Sequence, residues 1–274
     1  MLAIVFVCLR LFSIQPWAES VDAYAYWATR SGDFYAAASA GRVGAYLYSP
    51  AFAQILTPLV LLPWPVFAAV WTGLLAAAYW ALVGNWALPL LLFLPIPFEI
   101  ISGNIHLLYA VAIVIGFRCP AAWALMLLTK VTPGVGLLWF LVRREWRQLA
   151  TALLVTGAIA AVSYVLDPSA WARWLELLRT DAVTAGSGSF TTVGWYLPIP
   201  LLPRLIAAAV VVVVAALTDR RWLVPVAVVL ALPVVWLNSL AVLVACVPLL
   251  RPTPAADGAP ITLAPTSDVT LASR

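Results

Sequence analysis

Apolar runs, interrupted by proline more often than by charge, fill most of the chain up to Leu250. Of 274 residues, 65% are hydrophobic and 9% charged, where a soluble globular domain carries about 25% charged residues. Such a sequence has too little polar surface to face water and reads as an integral membrane protein. A helical span needs about 20 apolar residues. The expected fold is therefore all-α and polytopic, with about eight to ten transmembrane helices, several of them short and broken by proline. The runs are continuous rather than alternating, which argues against a closed β-barrel.

Charge placement sets the expected topology. Fifteen Lys and Arg against eleven Asp and Glu give +4, with no long basic tract, so nucleic acid is not an expected partner. Arg143, Arg144 and Arg147 form one basic cluster and Arg220 with Arg221 another, and the positive-inside rule assigns both to the cytoplasmic side. Spans at 148–166 and 198–217 then leave the polar stretch 167–196 outside. A short first helix over 1–15 places the other polar stretch, 16–49, on the same outer face. Five crossings fit between it and Arg143, at about 50–62, 65–83, 86–101, 104–117 and 121–142. Pro-broken helices in hydrocarbon line a cavity or pack within protein, because their freed backbone groups need partners.

Asp167 followed by Pro168 predicts an N-cap and first helical residue, with Trp171, Trp174, Leu175 and Leu178 on one face suited to the membrane surface. Residues 222–250 are long for one span and carry Pro233, Trp236 and Asn238 near the middle, which predicts a tight hairpin. Residues 1–250 thus form one transmembrane domain, and 251–274, rich in Pro, Ala, Thr and Ser, read as a disordered cytoplasmic tail. Cys8, Cys119 and Cys246 show no metal-ligand spacing.

A few polar residues stand out against this apolar background. Asp22 follows the first helix among Trp17, Tyr24, Tyr26 and Trp27. Aromatic rings stack on sugars while a carboxylate takes a hydroxyl proton, although the same residues also make a capped helix in an interfacial belt. Lys130 lies inside an apolar segment, where a cation is costly and points to function; a depth of roughly 20 Å from the Arg143 end follows from 1.5 Å per residue. It is suited to an anionic group, or to an ion pair with Glu99. Arg10, near the outer end of the first helix, is a phosphate ligand or a snorkelling arginine. Glu99, Gly103, Asn104 and His106 form a polar island. His106, the single histidine, fits a hydrogen-bonding cavity better than a metal site. Tyr48, Ser49 and Pro50 mark a well-formed helix start.

The order of these features resembles the polytopic glycosyltransferases of the GT-C superfamily, and most closely glycosyltransferase family 87, the polyprenol-phosphate-mannose-dependent mannosyltransferases. The resemblance rests on Asp22 with Tyr24, Tyr48-Ser49-Pro50 with Phe52, Pro58, Leu62-Pro63, Trp71, Gly103-Asn104, Lys130 before Pro133, and the Trp139–Trp146 stretch with its arginine pair. It covers about residues 10–150. Further on, Pro233 and Trp236 look like the family's late segment. Two positions depart from the pattern: Tyr-Ser-Pro stands for the usual Tyr-Pro-Pro, and Asn238 stands where members commonly carry histidine.

The resemblance implies a multi-pass cell-membrane enzyme that moves a hexose, mannose in this family, from a polyprenyl-phosphate donor to a glycan or glycolipid acceptor at the extracytoplasmic face. It implies an inverting displacement with Asp22 as base, Lys130 and Arg10 on the donor phosphate, and Tyr24, Tyr48, Glu99, Asn104, His106 and Asn238 lining the substrate cavity. No metal or other cofactor is called for. Two other classes remain open: a non-catalytic GT-C-like subunit, favoured by Asn238, and a lipid or solute transporter, which broken helices also serve.

Overall fold

A computed structural model describes residues 20–35, 38, 45–185 and 197–251. The expected first helix at 1–15, Arg10 within it, and the tail beyond Arg251 lie outside the described residues. So do parts of both polar stretches.

The described chain is helical throughout. After α1 (Val21–Trp27) come α2 (Pro50–Val60), α3 (Trp64–Val83), α4 (Ala87–Leu90), α5 (Pro95–Ser102), α6 (His106–Gly116), α7 (Ala124–Thr129) and α8 (Leu138–Val142). Then follow α9 (Trp146–Leu166), α10 (Pro168–Ala185), α11 (Leu201–Leu217), α12 (Leu223–Ala231) and α13 (Cys246–Leu250). Tighter 3-10 turns join several of them, notably Thr132–Leu137 and Leu237–Ala245.

Two helices are long and apolar enough to cross a membrane, Trp64–Leu90 and Trp146–Leu166, and the pair Pro95–Ser102 with His106–Gly116 makes a third span only if counted as one broken element. The other apolar helices run to 10–17 residues. Of the eight to ten expected crossings, length and composition support two or three among the described residues.

Proline and glycine account for the shortening. The expected span 86–101 contracts to α5, which begins where Pro95 and Pro97 occupy its first turn, positions whose N–H groups need no intrahelical partner. It ends at Gly103, whose φ of +72° only glycine adopts freely, and the chain then turns by 110° into α6. The expected span 121–142 breaks at Lys130, which is extended (φ −139°, ψ 117°). Pro133 explains the break, since its ring clashes with the carbonyl four residues back, that of Thr129. Lys130 therefore sits at a helix end, and a depth counted along a continuous helix does not apply to it.

The core forms where α6 packs on Leu237–Ala245 and α3, and α12 on α11 and Thr132–Leu137. Trp71, Trp123, Trp139, Tyr26, Tyr46 and Tyr109 are fully buried in it, so these aromatics fill the interior rather than an interfacial belt. α12 and Leu237–Ala245 pack together across the Pro233 break, as a hairpin does. By contrast α9 leaves most of its apolar surface exposed, Leu154, Val162 and Leu166 among it, in keeping with a lipid-facing span.

Ends of the molecule sort by charge. Arg143 pairs with Glu145 and with Asp219, each at 2.9 Å, which brings the two basic loops together. Beyond the far end of α9, Arg173 pairs with Asp33 at 3.3 Å and the Trp174 indole N–H donates to the Leu47 carbonyl at 3.2 Å. The two polar stretches thus meet. Asp167 caps α10 as its sequence predicts, accepting from the Ser169 hydroxyl at 2.7 Å and the Ala170 N–H at 2.9 Å. Ala170, Trp174 and Leu177 of that helix pack inward, while Leu175 and Leu178, on the face expected at the membrane surface, stay exposed on the protein.

Candidate functional site

Asp22 and Tyr26 stand four residues apart on α1 and so share a face. Ser20 ties the start of that helix to α5, its hydroxyl donating to the Ile101 carbonyl at 3.1 Å. Ala23 rests directly on Gly103, where a Cβ would come within 2.5 Å of the alanine methyl. The glycine is thus required twice, for its backbone conformation and for the close approach of α1. Trp71, fully buried on α3, fixes the same turn by donating to the Gly103 carbonyl at 2.7 Å.

Asn104 follows that turn. Its Oδ1 accepts from the Ile105 N–H at 2.7 Å and from the Tyr26 hydroxyl at 3.5 Å, and its side chain favours the charged form of the Asp22 carboxyl. Asp22 is half-buried and belongs to the first polar stretch, outside the spans. Desolvation first, and then the charge of Glu99, raise its carboxyl above the usual carboxylate range, against the opposing pull of Asn104, His106 and Lys130.

Glu99 and His106 are both completely buried. Glu99 Oε1 accepts the His106 backbone N–H at 2.5 Å and Oε2 faces the imidazole Nδ1 at 3.0 Å. The carboxylate of α5 thereby caps the N-terminus of α6 across the bend, where orphan N–H groups and the helix dipole favour an anion. Asn238 joins from the other half of the chain, donating to the Ser102 hydroxyl at 3.1 Å and reaching Glu99.

Lys130 approaches from the α7 end. Its Nζ lies 5.5 Å from the centre of the Tyr48 ring, and Tyr48 meets Tyr26 hydroxyl to hydroxyl at 3.2 Å. The ion pair with Glu99 weighed above does not form: among the described residues no carboxylate lies within salt-bridge distance of Lys130, and Glu99 is engaged by His106. Ser49 and Tyr109 brace this corner, the former through the Leu128 carbonyl and the latter through the Thr129 hydroxyl at 2.6 Å.

Asp22, Tyr48, Glu99, Asn104, His106, Lys130 and Asn238 therefore form one linked group. Tyr24 is half-buried with its ring against Trp27 and Trp64 at 5.9 and 5.7 Å. Tyr26 is the member that composition alone does not single out; its spacing from Asp22 is the signal. A cavity of about 290 Å³ opens nearby, lined by Thr29, Arg30, Gln54, Thr57 and Asp167, and the linked group lies outside it. Among the described residues no three His, Cys, Asp or Glu side chains group to hold a metal.

This grouping of a carboxylate, a lysine and buried polar residues is where the resemblance can be checked. The family model for glycosyltransferase family 87 matches residues 46–251, most of the chain. The chain belongs to glycosyltransferase family 87. The match takes in Tyr48, Glu99, Asn104, His106, Lys130 and Asn238 and begins after Asp22 and Tyr24. No curated protein and no solved structure matches the chain at a comparable level. Membership in this glycosyltransferase family makes a sugar donor, an acceptor and a membrane setting the frame for the site.

Proposed function

We propose that the protein transfers a hexose, mannose by family resemblance, from a polyprenyl-phosphate-linked donor to a glycan or glycolipid acceptor at the extracytoplasmic face. The observation that carries this reading is the grouping of a half-buried carboxylate, Asp22, with a lysine, Lys130, that makes no salt bridge among the described residues, the two connected through Asn104, Tyr26 and Tyr48.

The step is an inverting displacement. Asp22 takes the proton of an acceptor hydroxyl as that oxygen attacks the anomeric carbon. The bond from that carbon to the phosphate oxygen breaks, and the phosphate leaves with the electron pair. Positive charge aimed at the leaving group stabilises it most where water is excluded, which is the part given to Lys130, with Arg10, outside the described residues, as a second cation by family resemblance. Asn104 orients the base, Tyr48 flanks the lysine, Glu99, His106 and Asn238 line the polar interior, and Tyr24 offers an aromatic face at the rim. The shared end of the two polar stretches, away from the basic loops, supports the outer-face assignment.

Membranes carrying the protein, supplied with radiolabelled polyprenyl-phosphate mannose and an acceptor extract, test the reading. Transfer is expected from the wild type and absent from Asp22→Asn. Lys130→Met is expected to lose about 100-fold or more in rate with its thermal stability kept, because a half-buried cation without a salt bridge among the described residues adds little to a fold. No transfer by a folded wild type across a broad acceptor set would overturn the reading in favour of a non-catalytic relative.

A further inference from the structure

His106 is the single histidine of the chain, fully buried, and one ring nitrogen is committed while the other is not. The carboxylate of Glu99 receives the His106 backbone N–H on one oxygen and faces Nδ1 on the other. With Nδ1 donating its ring proton to Oε2, Nε2 keeps its lone pair. Packing against the edge of Tyr109, 5.8 Å between ring centres, helps fix the ring. Nε2 is buried and meets no hydrogen-bond partner among the described residues.

That orphan acceptor is expensive, and the fold gains nothing from it. Capping α6 needs Glu99 and the backbone N–H groups of His106 and Leu107, not an imidazole. Asp22 and Lys130 lie close enough for their charges to act on this ring, so the unpaired lone pair belongs to the same group of residues as the proposed base and phosphate ligand.

We propose that His106 Nε2 accepts a hydrogen bond from a hydroxyl of the substrate sugar, in a tautomer fixed by Glu99, and so selects for a sugar hydroxylated at one position. This rests on the glycosyl-transfer reading above and adds to it a specific atom and polarity. Because the nitrogen is shielded, the bond forms only after side chains part around the entering sugar. Its effect falls on discrimination between sugars more than on capture of the lipid phosphate.

A single histidine makes the test direct. In detergent-solubilised protein labelled with 15N-histidine, the ring signals arise from His106 alone. Nδ1 is expected protonated and Nε2 unprotonated. Addition of a short-chain polyprenyl-phosphate mannose is expected to move Nε2 toward the hydrogen-bonded position, while the same lipid phosphate without sugar leaves it in place. Methyl α-mannoside separates the sources: a shift with it alone assigns the hydroxyl to the acceptor. A protonated Nε2, or a signal indifferent to every sugar, overturns the proposal. In transfer assays with monodeoxy donors or acceptors, one position is expected to cost the wild type about tenfold in kcat/KM, a cost that vanishes in His106→Phe and persists in His106→Gln, which restores an acceptor. Equal penalties in wild type and His106→Phe also overturn it. If no lipid-linked sugar is transferred, the underlying reading falls and this inference with it; transfer with an Nε2 signal indifferent to sugar removes this inference alone.

Discussion

Glu99 commits both of its oxygens to His106, and that choice governs the charges around it. A carboxylate so engaged does not neutralise Lys130, yet its own charge still reaches Asp22. The Asp22 carboxyl is raised by desolvation first and by Glu99 second, and lowered by Asn104, His106 and Lys130. The sign of the pH dependence follows. A base must be ionised to accept a proton, so transfer is expected to fall as pH drops through a value above the ordinary carboxylate range. Glu99→Gln removes the like charge and is expected to move this acid limb to lower pH, whereas Asn104→Ala removes a stabilising contact and moves it higher. Rate against pH for the three proteins checks this, and coincident limbs would mean that Asp22 is not the group that titrates. The pairing itself is hidden from the sequence. Seven residues along a straight helix span about 10.5 Å, and only the turn at Gly103 folds Glu99 and His106 onto each other. What the sequence does show is that Asn104, His106 and Lys130 are polar where polarity is costly.

Short helices owe their ends to identifiable residues, and those ends place the site. Gly103 combines a left-handed backbone with contact against Ala23. Gly103→Ala is expected to destabilise the protein by about 1–3 kcal/mol through backbone strain and the methyl clash together, and to displace α1 with Asp22. Ala23→Gly in the same chain relieves the clash but not the strain, so the pair should be non-additive and recover part of the loss. Thermal unfolding of the four proteins in detergent gives the coupling; strict additivity would mean that α1 does not rest on this glycine. The turn was legible as a polar, glycine-containing island, but its 110° angle was not. The break before Pro133 was legible in principle from the missing N–H and the ring clash. A purely apolar window over 121–142 conceals it, because hydropathy does not register which backbone bonds proline removes. The cap at Asp167 shows the converse, a local signal that survives intact because its partners are two and three residues away. Which face of α10 turns inward depended on Leu47 and the first polar stretch, more than a hundred residues earlier.

Across the whole molecule, the second half reaches the site through one buried cation. Arg204, 5% exposed, donates to the carbonyls of Ile199, Leu230, Leu232 and Pro233 at 2.7–2.9 Å. The last three are backbone groups freed where α12 ends and the chain breaks before Leu237. In a membrane setting such groups have no water to turn to, and a guanidinium, with five donors in a fixed fork, is the side chain that satisfies several at once. The break in turn sets where Asn238 enters, against Ser102 and Glu99. Composition announces the apolar, helical character of the fold but does not mark Arg204, since nothing local says that three of its partners lie 26–29 residues later. Arg204→Lys keeps the charge and loses the fork, leaving carbonyls unpaired at a cost of roughly 2–4 kcal/mol. The expected result is a clear drop in unfolding temperature, together with greater reactivity of a cysteine placed at Asn238 toward a small thiol reagent. Wild-type stability in Arg204→Lys would mean that the break closes on itself and that the second half holds Asn238 in place by packing alone.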